Sequence, residues 1–186
     1  MTEPIPARVA LLRGINLGPN RRISMADLRQ IATGLGWAQV ATYLQSGNLI
    51  FGARGSDADL AEQLSSALHE RFDLDVDVVV RDGVRLSALL AAHPFADGDP
   101  AQVVIACCDR PIGADALDRL ERLRSGAERF QPAEGGCDLY AIFPDGQARS
   151  RLAAGLIAAI APATGTVRNV RTLAAVTDLL RAEPAG

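Results

Sequence analysis

Val40-Ala-Thr-Tyr-Leu-Gln-Ser-Gly-Asn-Leu-Ile-Phe51 is the stretch whose reading decides the fold. Two runs with strand character, 40–44 and 49–51, flank Gln45-Ser-Gly-Asn48, and Gly beside Asn is the chemistry that a tight hairpin requires. The stretch therefore predicts two consecutive antiparallel strands. Upstream, Arg8-Val-Ala-Leu-Leu-Arg13 reads as a buried strand that stops at Gly14. A helix follows from the N-cap Ser24, with Asp27 three residues on and Met25, Leu28, Ile31, Ala32 and Leu35 as its apolar stripe. Downstream, Ser56 and Asp57 open a second helix with the stripe Leu60, Leu64, Ala67, Leu68 and Phe72, and Val76, Val78 and Val80 mark a fourth strand.

That order, strand-helix-strand-strand-helix-strand, is the ferredoxin-like unit. A short trailing helix carries Leu86, Leu89 and Leu90 and stops before Pro94. The second half repeats the order, with strands at 103–108, around Phe130, at 137–143 and at 166–168, and helices at 114–124, 147–161 and 171–181. Val80-Arg81-Asp82 even matches Val167-Arg168-Asn169 at the two half-ends. The expected fold is thus α+β: two tandem ferredoxin-like (βαββαβ) units, a duplication in which each antiparallel sheet is backed by helices. The first unit is expected over 1–93 with the trailing helix, and the second over 94–186 with the C-terminal helix. The join lies in the Pro-, Gly- and Asp-rich stretch around 93–101. Leu11, Leu28, Leu64 and Val78 are expected in the first core.

Composition removes several classes of function. Hydrophobic residues make up 48% of the 186, enough for a sizeable core. No apolar run approaches the ~20 residues that span a bilayer, and the start, Met1-Thr2-Glu3-Pro4, does not resemble a signal peptide. The expectation is a cytoplasmic protein with no membrane association. All 19 basic residues are arginines, so the lysine of a P-loop or of a pyridoxal Schiff base has no counterpart. Asp73, Asp75 and Asp77 open like a calcium loop, but Val78 and Val84 stand where that loop needs Gly and Glu. Ser46 lacks the Gly-x-Ser-x-Gly elbow, His69 and His93 are the only histidines, and no Gly-x-Gly-x-x-Gly occurs. Cys107 and Cys108 point to opposite faces of a strand and Cys137 is distant in sequence, so all three read as unmodified thiols. No metal site and no cofactor are expected, and no catalytic residue is assigned.

Several further blocks carry a resemblance. They are Val9-Ala-Leu-Leu-Arg-Gly-Ile-Asn16, Met25-Ala-Asp-Leu28, Leu35-Gly36, Thr42-Tyr43, Gln45-Ser-Gly-Asn48, Pro94-Phe95 and Thr166-Val-Arg-Asn169 with Thr172. In this order they resemble the bacterial domain-of-unknown-function family numbered 1697. The resemblance implies two fused ferredoxin-like halves and brings no activity with it. This chain differs from the family's usual pattern at Gly18-Pro19, Val170 and Ala175.

The topology makes one placement. Strands one and three of such a unit are antiparallel neighbours, so the end of the first strand meets the hairpin between the second and third. Arg13, Asn16, Gln45, Ser46 and Asn48 then share a rim of guanidinium, amide and hydroxyl donors suited to a small anionic ligand. Tyr43 is counted with them, as are Arg21 and Arg22 in the loop that feeds the helix starting at Ser24. Arg168 and Asn169 are a second candidate contact at the last strand's end, where Asn169 also suits a helix N-cap. The other reading of the rim is architectural, with its amides satisfying turn carbonyls. Two further functions stay open: a nucleic-acid-contacting module, disfavoured by the net charge of −3 and 4% aromatics, and a homo-oligomeric interaction protein without a ligand.

Overall fold

The computed structural model describes residues 5–15 and 23–182. Asn16, Arg21 and Arg22 lie outside them. The first four strands are β1 (Ala7–Leu12), β2 (Ala38–Tyr43), β3 (Asn48–Gly52) and β4 (Val78–Asp82), and they form one antiparallel sheet in the order β2-β3-β1-β4. Helix α1 (Met25–Gly34) joins β1 to β2, and α2 (Asp57–Phe72) joins β3 to β4. After α3 (Gly83–Ala92), the pattern recurs as β5 (Val103–Cys108), α4 (Ala114–Leu123), β6 (Arg129–Pro132), β7 (Asp138–Ile142), α5 (Arg151–Ala159) and β8 (Gly165–Asn169). Those strands form a second antiparallel sheet, β6-β7-β5-β8, and α6 (Val170–Ala182) closes the chain. The fold is α+β, with two four-stranded antiparallel sheets and six helices among the described residues. Among the described residues, 88–173 pack as one compact unit, and those before 88 pack with 174–182 as the other. The division falls inside α3 and α6.

Local chemistry places the helices. Ser24 Oγ accepts from Asp27 N at 3.0 Å and Ser56 Oγ from Asp59 N at 3.1 Å, so both helices of the first unit start with a Ser-x-x-Asp exchange. The Asp27 carboxyl is held below its usual range, first by the Ser24 hydroxyl and then by the Arg71 guanidinium. Asp82 Oδ1 accepts from Arg85 N at 2.7 Å and Asn169 Oδ1 from Thr172 N at 2.8 Å, so the matched half-ends cap α3 and α6 alike. Helix α5 starts at Arg151, later than the expected residue 147, because Ser150 caps it by accepting from Ala153 N at 2.9 Å.

Each helix-covered sheet face has its own core. In the first unit Ala10, Leu12, Leu28, Leu49, Phe51 and Leu64 belong to one buried cluster, with Val78 packed against it. Trp37 stacks on Phe51 with ring centroids 3.9 Å apart. Leu11 is buried too, but strand alternation puts it on the other sheet face with Val9, and neither belongs to that cluster. In the second unit Val104, Ala106, Cys108, Leu139, Ala141 and Phe143 pack with Leu120, Leu152 and Leu156.

Candidate functional site at the first hairpin

The end of β1 meets the β2–β3 hairpin as the topology requires. Leu11 pairs with Asn48, and Leu12 N donates to Gly47 O at 2.9 Å. Gly47 has φ +78°, and a Cβ there would lie 2.7 Å from Ile15 Cδ1 and 3.0 Å from Leu12 Cβ. Only glycine suits both the turn and the close approach. Arg13, Tyr43, Gln45, Ser46 and Asn48 are therefore gathered at one end of this sheet.

They do different work there. Asn48 is fully buried, and its Nδ2 donates to Tyr43 O at 2.8 Å and Ser46 Oγ at 3.1 Å. Its side chain closes the hairpin across the turn that Leu44, at φ +60°, begins. Tyr43 contributes its carbonyl to that closure and is partly buried, whereas Gln45 and Ser46 are exposed. The Arg13 side chain keeps 44% of its surface and reaches Asp77, with Nη2 2.5 Å from Oδ2, while Arg13 N donates to Asp77 O at 2.9 Å. Asp77 is not among the residues that the sequence assigns to this rim. The signal for it was topological, because the segment leading into β4 runs beside the end of β1.

Arg8, on β1, is engaged away from this rim. Its guanidinium lies 2.5 Å from Asp57 Oδ1 and also donates to Gly55 O at 3.3 Å. A groove beside it, lined by Arg8, Asp82, Val84, Ser87 and Arg181, has its cations engaged as well, since Arg181 Nη2 donates to Ser87 Oγ at 2.9 Å.

Arg168 and Asn169 belong to the second unit. Arg168 Nη1 donates to Thr166 Oγ1 at 2.6 Å and Val167 O at 2.9 Å, and burial pushes its pKa down to about 10, with Cys107 acting in the opposite direction. Its counterpart Arg81 makes the same local bond to Val80 O at 2.9 Å and is 4% exposed. Near Arg168 on the same sheet face, the Tyr140 hydroxyl donates to Leu89 O at 3.1 Å. Burial first, then Asp138 and Cys107, raises its pKa. Among the described residues no group of three His, Cys, Asp or Glu side chains is placed to hold a metal ion, and no helix is long and apolar enough to cross a membrane.

Comparison with known proteins supplies a family. A conserved bacterial protein from Streptococcus pneumoniae shares this fold with a TM-score of 0.73 at 23% sequence identity, covering 95% of this chain and 99% of that one. Comparison with the curated proteins found no match. The model of the family described as "Protein of unknown function (DUF1697)" matches residues 5–137. The sequence blocks from Val9 through Pro94-Phe95 fall inside that match, and this chain belongs to that family.

Proposed function

We propose that the protein binds a small anionic ligand at the Arg13 rim of its first unit, on a scaffold of two ferredoxin-like repeats. The strand order β2-β3-β1-β4, with a helix before β2 and another before β4, supports the ferredoxin-like reading. The observation that carries the ligand reading is a division of labour. Buried Asn48 and glycine-restricted Gly47 hold the hairpin rigid, while the half-exposed Arg13 guanidinium and the exposed Gln45 and Ser46 stand beside it. A rigid backbone with exposed donors only at its rim is how a preorganised polar site is built. Arg13 supplies the charge, exchanging Asp77 for the ligand or sharing it, and Gln45 and Ser46 supply neutral hydrogen bonds. Asn16, Arg21 and Arg22 follow β1 in sequence and are proposed as further contacts.

A carboxylate or phosphate-bearing small molecule suits this set better than nucleic acid. The net charge is −3, and Arg13, Gln45 and Ser46 stand together at one end of the sheet rather than along its face. The sheet positions that an RNA-recognition platform would use carry Val9, Leu11, Ile50 and Val79, all buried and none aromatic.

Thermal denaturation against nucleotides, phosphorylated sugars and small carboxylates tests the proposal. A ligand at a hundredfold over its dissociation constant stabilises the folded state by about 2.7 kcal/mol. The parent protein is expected to respond to one class, and Arg13→Ala is expected to lose that response with its ligand-free melting point nearly unchanged. No response from the parent, or an unaltered response in Arg13→Ala, overturns the proposal.

A further inference from the structure

The cysteines, read from sequence as three unmodified thiols, are thiols in the structure, and the second sheet sets two of them opposite one another. Cys107 pairs with Asp138 across β5 and β7, so the next cross-strand position sets Cys108 opposite Cys137. Cys108 N donates to Cys137 O at 3.1 Å, which fixes that opposition. Residues directly opposed in an antiparallel pair have Cα atoms about 4.5–5.5 Å apart, inside the about 4.4–6.8 Å that disulfides span. Alternation also selects the partner: Cys108 lies in the helix-side cluster with Leu139, and Cys137 is two residues before Leu139, whereas Cys107 faces the other way.

We propose that Cys108 and Cys137 form a dithiol site that exchanges with small-molecule disulfides and closes to an intrachain cross-strand disulfide, with Cys107 taking no part. All three side chains are thiols in this structure. Cys137 is partly exposed and Cys108 is 1% exposed, so their roles are ordered. The Cys137 thiolate attacks one sulfur of R–S–S–R, forming a mixed disulfide and expelling RS⁻, which takes up the proton that Cys137 released. Cys108 then gives up its proton and attacks Cys137 Sγ, expelling the second RS⁻, which is protonated in turn. The dithiol is oxidised by two electrons and one disulfide is reduced to two thiols. Gly135 and Gly136 precede Cys137 with nothing packed within 4 Å of where their Cβ atoms would be, so the turn has room to adjust as the sulfurs approach.

Oxidised glutathione is the probe. The full chain, reduced and then exposed to it, is alkylated under denaturing conditions and its mass and peptides are analysed. The expected result is loss of two of the three alkylatable thiols, with Cys107 retained and Cys108 and Cys137 in one cross-linked peptide pair. Cys137→Ser is expected to show neither cross-link nor adduct, Cys108→Ser to stop at a glutathionyl adduct on Cys137, and Cys107→Ser to behave as the parent. The peptide analysis of the parent decides the matter even where a buried variant fails to fold. Three alkylatable thiols after oxidation, a stable Cys137 adduct without closure, or a cross-link containing Cys107 overturns the proposal.

Discussion

The two hairpin ends occupy the same place in their sheets and are built from different chemistry. In the first unit the residue opposite Leu11 is Asn48, a fully buried amide that ties the turn to itself. In the second, the residue opposite Cys107 is Asp138, a buried carboxylate 3.3 Å from Cys108 N. One residue further out Leu12 faces Gly47, and Cys108 faces Cys137. One residue beyond that the charge reverses. Arg13 N bonds to Asp77 O at 2.9 Å, and Asp109 N bonds to Thr164 O at 2.9 Å, so Asp109 stands where Arg13 stands. Asp109 is occupied by its neighbours, since it accepts from Thr164 N in the connection entering β8 at 2.8 Å and from Arg110 Nε at 2.8 Å. The same backbone ladder recurs in the two sheets, and the two rims differ in what they present beyond it. At the first rim Arg13 is paired with Asp77, and at the second Asp109 is paired with Arg110.

The comparison breaks most visibly at the turn glycines. Gly47 and Gly135 both have positive φ, +78° and +80°, yet a methyl on Gly135 would meet nothing within 4 Å, and one on Gly47 would meet Ile15 at 2.7 Å. Gly135→Ala incurs the left-handed strain alone, about 1–2 kcal/mol. Gly47→Ala adds overpacking, typically about 1–3 kcal/mol more. Chemical denaturation is expected to rank Gly47→Ala as the more damaging. Equal losses would show that Ile15 yields without cost.

Asn48→Ala comes next. It leaves the Tyr43 carbonyl and Ser46 hydroxyl without this donor and opens a small void, for an expected loss of about 1–3 kcal/mol in the absence of any ligand. A loss well under that range, measured by urea denaturation, would return Asn48 to the set of ligand contacts.

These two residues show what the sequence could and could not carry. Gly47 beside Asn48 announced a hairpin, because turn geometry needs a positive φ and a short amide, and both are local requirements. The rim itself was legible once the element order was read, since topology alone brings β1's end to that hairpin. The helix caps at Ser24 and Ser56 were local as well. Whether Asn48 points outward or inward was not legible, because its burial depends on a strand distant in sequence, where Leu11 pairs with it. The start of α5 was missed by a few residues, since Gln147 and Ser150 both suit a helix entrance and only the Ser150–Ala153 bond selects one. Strand alternation placed Leu11 in a core without saying which sheet face that core occupied. Cys137 gave no pairing signal at all, as register is a long-range property that one-residue shifts would invert.

Asp109→Ala tests the second rim. Its carboxylate accepts the backbone N–H of Thr164, and because this bond is exposed to water, removal is expected to cost about 1 kcal/mol, the level of a typical net hydrogen bond rather than that of a buried charged one. The ligand response of the first rim should be unchanged. A variant that also lost the response would mean that the anion does not sit where Arg13 is.

The smallest expected effect on stability belongs to Arg13→Ala, and its smallness is what gives it meaning. The Arg13–Asp77 pair has 44% and 32% of its side-chain surfaces exposed, so water and salt screen it, and pairs of this kind contribute about 0–1 kcal/mol. The main-chain bond from Arg13 N to Asp77 O survives the substitution, which keeps β1 joined to the segment entering β4. Raised salt should therefore lower the parent's melting point slightly more than that of Arg13→Ala, because only the parent has this pair to screen. A residue that contributes so little to the ligand-free fold, yet is placed beside a hairpin held by Gly47 and Asn48, is expected to show its role only when an anion is added. If Arg13→Ala instead costs as much as Asn48→Ala without ligand, the guanidinium is holding the sheet end together, and the first rim is scaffold like the second.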